Sequence, residues 1–259
     1  MSLGRKLGVI TGEIYEKILM DQIKEGGPVP NHIGIITDGN RRYAREQGID
    51  PNIGHVKGKD KLEEVLEWSM EIGTKIITVY AFSTENFDRE PEEVEFLFNL
   101  INDSLKNLMR DKRVTNNKIR VKVIGKINIL PEKLVRTINE LENFTNSYEN
   151  FRLNIAVGYG GREEIMDAIR KIASDYKEGR ISMEDIGQDK FREYLYDGTV
   201  PDPELILRTS GEERISNFLL WQSAYSELYF SDVYWPALKK IDFLRAIRAY
   251  QLRQRRFGK

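Results

Sequence analysis

The sequence predicts an α/β fold with a mainly parallel central sheet of about six strands, flanked by helices on both faces. Short apolar segments rich in β-branched residues alternate along the chain with longer amphipathic segments, and turns rich in Gly and Pro separate them. Strands that alternate with helices pair in parallel, because each helix carries the chain back across the sheet. The 259 residues suffice for one large domain, and the composition does not change after Pro30. We therefore expect one domain over residues 29–259.

An N-terminal helix and linker are predicted over residues 1–28. Ile10, Ile14 and Ile18 have helical spacing, and the run Gly-Gly-Pro-Val-Pro at residues 26–30 ends this helix. Short apolar runs predict the strands, at residues 33–37, 75–82, 120–125, 152–157, 205–207 and 229–234. Apolar residues recurring at the helical period predict the helices, at residues 57–72, 92–110, 132–144, 162–175, 216–224 and 242–256.

The composition excludes several classes of function. Positive and negative charges nearly cancel, to a net charge of −1, so we expect no general attraction to nucleic acid. The chain has no cysteine, which excludes disulfides, thiol nucleophiles and cysteine zinc sites, and only His32 and His55 could supply an imidazole. No apolar run approaches the length of about 18 residues that a membrane span needs. We expect a soluble cytoplasmic protein.

The segment 33–42 ends a predicted strand with residues suited to an anion and a metal ion. It reads Ile-Gly-Ile-Ile-Thr-Asp-Gly-Asn-Arg-Arg, so Asp38 lies just past the strand. Ligands of open α/β sheets bind beyond the carboxyl ends of strands. Gly39 allows a close turn, and Asn40, Arg41 and Arg42 begin the next helix, whose N-terminal amides favour phosphate. The alternative is a buried strand that ends in an ordinary Asp-Gly-Asn turn.

A second strand end repeats this pattern. Arg208 ends a short apolar strand, a Thr-Ser-Gly loop follows, and Arg214 and Ser216 come next. Two guanidiniums and a hydroxyl suit the capture of a diphosphate, although a solvated surface loop is the alternative. Glu227 lies in an aromatic stretch, where a carboxylate is costly unless it is paired or bound to a metal. Asp38 and Glu227 are therefore a candidate site for Mg²⁺.

A third strand end places Ser83, Glu85, Asn86 and Arg89 just past an apolar run, although Ser83 could equally be a helix cap. Two glycine-containing segments fail as nucleotide motifs. Gly158-Tyr-Gly-Gly-Arg lacks the last glycine of the dinucleotide fingerprint, and the segment 54–60 lacks the spacing and hydroxyl of a P-loop.

Together, these strand ends predict two diphosphate sites and one metal ion without a credible nucleophile. This combination suits ionisation of an allylic diphosphate, in which arginines and Mg²⁺ stabilise the departing charge. The rest of such a substrate is apolar. Leu62, Leu66, Leu97 and Ile101, on two of the predicted helices, could line an apolar tunnel or simply pack the core.

The chain resembles the cis-prenyltransferases, the undecaprenyl diphosphate synthase-like enzymes, from about Val29 to Gly258. The resemblance rests on specific motifs that occur in order along the chain. These are His-Ile-Gly-Ile-Ile-Thr-Asp-Gly-Asn-Arg-Arg, Gly54-His55, Tyr80-Ala-Phe-Ser-Thr-Glu-Asn, Gly158-Tyr-Gly-Gly-Arg, Arg208-Thr-Ser-Gly-Glu, Arg214-Ile-Ser-Asn-Phe-Leu-Leu-Trp-Gln and Arg256-Phe257-Gly258.

The resemblance implies the condensation of isopentenyl diphosphate with an allylic prenyl diphosphate primer, with the new double bond in cis. The product would be a polyprenyl diphosphate, the precursor of a glycosyl carrier lipid. It also implies that Asp38 holds Mg²⁺ and assists ionisation, while Glu227 completes the metal site across a homodimer. A long product would favour peripheral association with a membrane.

The resemblance further assigns substrate contacts. Around the allylic diphosphate it places Gly39, Asn40, Arg41, Arg42 and His55. Ser83 is a further substrate contact, and Asn86, a catalytic residue, and Arg89 lie nearby to orient the reacting carbons. To isopentenyl diphosphate it assigns Arg208, Arg214 and Ser216. The tail Arg256-Phe257-Gly258 would reach a neighbouring active site.

Some positions depart from the family pattern, and two rival functions are open. Arg41 stands where many relatives have glycine, and Pro51 where a diphosphate-contacting arginine is common, so Arg41 is a candidate to replace that charge.

One rival function is that of an Asp-nucleophile phosphohydrolase, although Asn40 stands where that chemistry needs a second carboxylate. The other is a non-catalytic subunit of a heteromeric prenyltransferase, which the retained polar residues argue against.

Overall fold

The centre of the fold is a six-stranded sheet in which every strand is parallel to its neighbours. The computed structural model describes the backbone of residues 3–253 and the side chains of residues 13–253. The strands are β1 (His32–Ile36), β2 (Ile76–Ser83), β3 (Ile119–Ile124), β4 (Phe151–Tyr159), β5 (Leu205–Arg208) and β6 (Glu227–Phe230). Their order across the sheet is β3-β4-β2-β1-β5-β6. The predicted fold class is confirmed.

Helices connect these strands and cover the sheet. They are α1 (Leu3–Glu25), α2 (Asn40–Glu46), α3 (Pro51–Ile72), α4 (Pro91–Arg110), α5 (Lys112–Asn116), α6 (Glu132–Thr145), α7 (Gly161–Lys177), α8 (Gln188–Glu193) and α9 (Lys240–Leu252). Three short 3₁₀ segments lie at Thr84–Asp88, Ile127–Ile129 and Trp235–Ala237. Within the described part of the chain, no helix is both long enough and apolar enough to cross a membrane.

Apolar side chains alternate between the two faces of the sheet, because successive residues of a strand point to opposite sides. Ile33 and Ile35 of β1 belong to a large buried cluster that includes residues of α1, α3, α4, α6 and α9. Ile36 belongs to a smaller cluster with Tyr80, Tyr159 and Phe218. Burial on both faces explains why the central strands are almost continuously apolar.

One predicted helix is absent. Residues 216–224 form a series of turns, in which Ser216, Asn217 and Leu219 have φ angles of 45°, 62° and 45°. These left-handed conformations interrupt the backbone hydrogen bonds of an α-helix. The apolar residues of this segment, such as Phe218 and Leu219, are buried in a loop. Their spacing in the sequence matches the helical period although they form no helix. The predicted helix at 216–224 is therefore wrong.

Several predicted boundaries shift. Helix α3 begins at Pro51, because Asp50 caps it by accepting a 2.7 Å hydrogen bond from the Asn52 amide. The last strand ends at Phe230, and the last helix ends at Leu252, where Arg253 turns to an extended conformation. The sequence pattern predicts that these elements continue to residues 234 and 256.

Candidate functional site

The carboxyl ends of β1, β2 and β5 meet at one edge of the sheet, and polar residues follow each of them. Asp38 lies at the centre of this edge. Its carboxylate accepts a 2.8 Å hydrogen bond from the Arg208 guanidinium at the end of β5, and lies 3.2 Å from the guanidinium of Arg42 on α2. The first and second predicted strand ends therefore form a single site.

The charge of Asp38 is stabilised by these two arginines. Burial alone would raise the pKa of the carboxyl group, but Arg208 and Arg42 outweigh burial and hold the pKa below the ordinary value of 3.8. Asp38 is thus ionised at neutral pH. Its side chain keeps 28% of its surface exposed toward the cleft, so the carboxylate is accessible to a ligand.

Close packing holds the loops around Asp38 together. Gly39 has a φ of 105°, and a Cβ there would lie 2.8 Å from the Tyr234 ring and 3.0 Å from the Ser210 Cβ. Arg42 then donates to the hydroxyl of Ser210 at 2.6 Å and to the carboxylate of Glu212 at 3.0 Å. The loops after β1 and β5 are therefore held against each other at the site.

Arg208 organises the second loop. Its side chain is only 4% exposed and donates to the Ser216 hydroxyl at 2.7 Å and to the Arg214 carbonyl. The Arg208 Nε is buried and has no hydrogen-bond partner among the described residues. Arg214 itself is 62% exposed and pairs with Glu212. Sequence reasoning missed Glu212, which lies between the Arg42 and Arg214 guanidiniums.

Three predicted allylic-diphosphate residues converge on a carboxylate that sequence reasoning also missed. Glu93, in the first turn of α4, lies 2.8 Å from Arg89, 3.3 Å from His55 and 3.5 Å from Arg41. Burial and the charge of Arg89 lower the pKa of His55 below 6.5, although Glu93 opposes them. His55 is therefore mainly neutral at neutral pH, and the arginines supply the positive charge here.

The loop after β2 borders the same cleft. Ser83 precedes a 3₁₀ turn, and its backbone amide donates a 3.0 Å hydrogen bond to the Asn86 side chain. Asn217, which the sequence analysis did not single out, donates to Glu85 at 3.0 Å and to Glu163 at 3.1 Å. Asn217 thus ties the loops after β2, β4 and β5 together. The neighbouring glycines of the 158–161 segment serve packing.

An apolar cavity opens beside this polar cleft. The cavity, of about 140 Å³, lies between α3, α4 and the sheet, and its apolar lining includes Leu62, Leu97 and Ile101. Thr37, Asn40 and His55 line both the cavity and the cleft. A ligand with a charged head and an apolar tail therefore fits the two spaces together. The continuous tunnel that the sequence analysis raised as one alternative stays a prediction.

Small residues on α3 allow Asn40 to sit at this junction. A Cβ at Gly54 would lie 2.3 Å from the Asn40 carbonyl, and a Cβ at Gly58 would lie 2.3 Å from the Asn40 Oδ1. That Oδ1 is buried and has no hydrogen-bond partner among the described residues. The carbonyl of Gly58 accepts a 2.7 Å hydrogen bond from the Trp235 indole, which fixes the cavity wall.

We expect Gly58→Ala to lower kcat/KM for the allylic substrate by roughly tenfold or more, because displacing a positioning group by about 1 Å can cost as much as a hundredfold. In a helix interior, alanine would otherwise stabilise by about 1 kcal/mol. The matched control is Gly187→Ala, where an added Cβ meets nothing within 4 Å. Equal kcat/KM for the two variants in steady-state assays would contradict the positioning of Asn40 by Gly58.

Glu227 lies away from Asp38 within one chain. It begins β6 beside Leu205, which in turn pairs with Ile33, five residues before Asp38. At about 3.3 Å per strand residue, these five residues place the two positions roughly 16 Å apart along the strand direction. Glu227 instead pairs with Arg253 at 2.7 Å. A metal site built by Asp38 and Glu227 of one chain is therefore wrong, whereas a site shared across a dimer stays a prediction.

Other predicted residues fall elsewhere. Arg256 and Gly258 lie outside the described residues. His32 is buried on the smaller-cluster face, the face of the sheet that carries Ile36, Tyr80 and Phe218. It contacts Thr78 and the Pro201 carbonyl at 2.7 Å each, and burial lowers its pKa to about 4.

In the part of the chain that the structure describes, no group of three or more His, Cys, Asp or Glu side chains could hold a metal ion.

Comparisons with known proteins agree with this geometry. A family model described as "Putative undecaprenyl diphosphate synthase" matches residues 36–258. A Thermoplasma volcanium protein named tritrans,polycis-undecaprenyl-diphosphate synthase (geranylgeranyl-diphosphate specific) is 63% identical over 259 residues, covering 100% of both chains. A Picrophilus torridus protein of the same name is 64% identical over 252 residues, covering 97% of this chain and 98% of the relative.

The fold is also similar to a solved enzyme structure. Lavandulyl diphosphate synthase from Lavandula x intermedia, in complex with dimethylallyl diphosphate, superposes with a TM-score of 0.85 and 34% identity. The match covers 89% of this chain and 99% of the lavender enzyme. The chain therefore belongs to the undecaprenyl diphosphate synthase family of cis-prenyltransferases, the enzymes that elongate polyprenyl diphosphates.

Proposed function

We propose that this enzyme condenses isopentenyl diphosphate with geranylgeranyl diphosphate and continues to a long cis-polyprenyl diphosphate. The observation that carries the proposal is the junction of a polar cleft with an apolar cavity at Thr37, Asn40 and His55. The geranylgeranyl primer is supported by the names of relatives that are more than 60% identical over nearly the whole chain.

In this proposal, the allylic diphosphate binds among the residues of α2, α3 and the loop after β2. Gly39, Asn40, Arg41, Arg42 and His55 surround it, and Ser83, Asn86 and Arg89 lie close to the reacting carbons. The arginines neutralise the charge that develops on the departing diphosphate. The allylic carbon chain extends into the apolar cavity, where it is removed from water.

Isopentenyl diphosphate binds on the other side of Asp38, with Arg208, Arg214 and Ser216. The Arg208 guanidinium holds Asp38 and Ser216 together, and its buried Nε has no hydrogen-bond partner among the described residues. Guanidiniums bind phosphate oxygens in a fixed bidentate geometry, which orients the second substrate. The two diphosphates would thus lie on opposite sides of one carboxylate, close enough for the carbon chains to meet.

Asp38 is the residue that would hold Mg²⁺. Its ionised, partly exposed carboxylate lies between two clusters of diphosphate-binding side chains, and Mg²⁺ commonly binds one or two carboxylates together with substrate phosphates. This donor set fits the ion. When bound, Mg²⁺ would supply positive charge to the leaving diphosphate. The Glu227 side chain completes the site only if a second copy of the chain brings it there.

We therefore also propose a homodimer, in which Glu227 and the tail residues Arg256 and Gly258 reach the neighbouring active site. The partners are the two diphosphate substrates and a second copy of the chain, with no nucleic acid. A cytoplasmic enzyme with a long apolar product would associate with the membrane surface through that product.

The test is the incorporation of labelled isopentenyl diphosphate by the purified protein with Mg²⁺ and allylic primers of four lengths, from dimethylallyl to geranylgeranyl diphosphate. We expect chain elongation, with the highest kcat/KM for geranylgeranyl diphosphate because its tail fills more of the apolar cavity. Chromatography of the products measures both primer choice and length.

Two outcomes would overturn the proposal. No polyprenyl product with any primer would rule out this activity for the protein assayed alone and favour the rival function of a non-catalytic subunit. Release of phosphate from simple phosphate esters without elongation would favour the Asp-nucleophile phosphohydrolase. Equal or better use of a shorter primer would overturn the choice of geranylgeranyl diphosphate alone.

A further inference from the structure

The apolar cavity adjoins a second, smaller space at the end remote from Asp38. This distal chamber, of about 30 Å³, lies beyond a wall formed by Leu66, Leu108 and Leu153, which line both spaces. Glu63 and Asp111 also border both spaces. The cavity between α3 and α4 therefore ends in a narrow apolar constriction with charged groups beside it.

A cluster of four charged side chains lies at the distal chamber. Arg113, at the start of α5, donates to Glu63 at 2.7 Å, to Glu67 at 2.5 Å and to Asp111 at 2.6 Å. Glu63 and Glu67 belong to α3, whereas Asp111 follows the last residue of α4 and caps α5. Arg113 thus joins the second half of α3 to the segment that follows α4, and these two helices enclose the apolar cavity.

We propose that the Arg113 cluster (Glu63, Glu67, Asp111 and Arg113) is a polar stop that limits the length of the polyprenyl product. This inference rests on the proposed function, because it assumes that the growing chain fills the apolar cavity from the Asp38 end. It assigns a role in product specificity to residues that contact neither diphosphate.

The physical reason is the cost of removing charged groups from water. At this wall a growing hydrocarbon chain meets the apolar side chains of Leu66, Leu108 and Leu153 and passes them at little cost. Beyond that wall the chain would cover ion pairs that are now partly hydrated, with Arg113 42% and Glu67 52% exposed. Desolvating ionised groups without new partners is strongly unfavourable. Elongation therefore stops when the tail reaches the cluster.

Removal of Arg113 tests this role. Without its guanidinium, Glu67 is free to turn into water and Glu63 keeps its 3.1 Å ion pair with Lys59, so the link between α3 and α5 is lost and an opening remains. We expect Arg113→Ala to lengthen the longest major product by at least one isoprene unit, as measured by chromatography at saturating isopentenyl diphosphate. The matched control is Arg110→Ala, an exposed arginine nearby that lines neither chamber and should leave product length unchanged.

A second variant tests the same passage in the opposite direction. Leu108→Phe narrows the constriction and should shorten the products, at a packing cost of about 1–3 kcal/mol that thermal unfolding would register.

General damage to the fold slows the reaction but does not lengthen the products. Unchanged product length in Arg113→Ala, or in Leu108→Phe if Arg113→Ala does not fold, would overturn the polar stop. A wild-type protein that makes no product would overturn the proposed function instead.

Discussion

Asp38→Asn should lower kcat by at least about a hundredfold, the scale found when one preorganised electrostatic group is lost from an active site. The substitution keeps the shape of the side chain but removes the charge that two arginines and the proposed Mg²⁺ share. It leaves Arg208, which is 4% exposed, without its carboxylate partner. The Mg²⁺ concentration that gives half of the maximal rate should rise as well.

The measurement is steady-state elongation over a range of Mg²⁺ concentrations, with thermal unfolding to show that the variant is folded. Asp60→Asn is the matched control, because Asp60 is a 60% exposed aspartate that forms an ion pair with Lys59. We expect it to retain normal kcat. Wild-type kcat in Asp38→Asn at saturating Mg²⁺ would contradict the assignment of Asp38 to catalysis.

Local sequence was sufficient to predict the sheet and the centre of the site. The β-branched run before Asp38 requires a buried strand, and parallel strands place their carboxyl ends at one edge. Those two facts place Asp38, Asn86 and Arg208 along one edge of the sheet. The adjacent positions of β2, β1 and β5 then bring them to one cleft, and local sequence did not predict that strand order.

The position of Glu227 shows where such reasoning ends. Glu227 is the first residue of its strand, and in a parallel sheet that position lies at the amino edge, opposite Asp38. Recognising the start of the strand would have separated the two carboxylates within one chain and left the site shared across a dimer as the prediction. The predicted helix at 216–224 failed for a different reason, because its left-handed residues include Ser216 and Leu219, which rarely adopt positive φ.

Glu93 and Glu212 were missed because their importance comes from tertiary contacts. Each is an ordinary acidic residue in sequence, and only the fold brings Glu93 beside three cationic or imidazole side chains. Glutamates in the first turn of a helix are common, since they favour the helix dipole. No local signal separates such a residue from one that holds a binding site in place.

A buried network on the smaller-cluster face carries the largest expected effect on stability. Asp197, with a side chain only 3% exposed, accepts hydrogen bonds from Thr199 at 2.7 Å, Arg152 at 2.8 Å and Asn154 at 3.0 Å. The ammonium of Lys122 lies 3.3 Å away. Asp197 therefore ties β3 and β4 to the segment that leads into β5, away from the active-site edge.

Asp197→Ala should lower the free energy of unfolding by about 3–5 kcal/mol, because it leaves the partners of a buried carboxylate unpaired. For a protein of this size, that loss corresponds to a fall in Tm of roughly 10 °C. Asp60→Ala, at a 60% exposed position, should change the free energy of unfolding by no more than about 0.5 kcal/mol. A loss below about 1 kcal/mol in Asp197→Ala would mean that the network contributes little.

The pH dependence of this loss gives a second, independent check. Burial alone would raise the pKa of Asp197, but Lys122 and Arg152 outweigh it and hold the pKa below the ordinary value of 3.8. A depressed pKa in the folded state stabilises the protein above the pKa of the unfolded state, and this stability is lost as the pH falls through the folded value. The difference in unfolding free energy between wild type and Asp197→Ala should therefore be constant near neutral pH and shrink below pH 3.8. A difference that does not change with pH would show that packing, and not the ionised carboxylate, accounts for the stability.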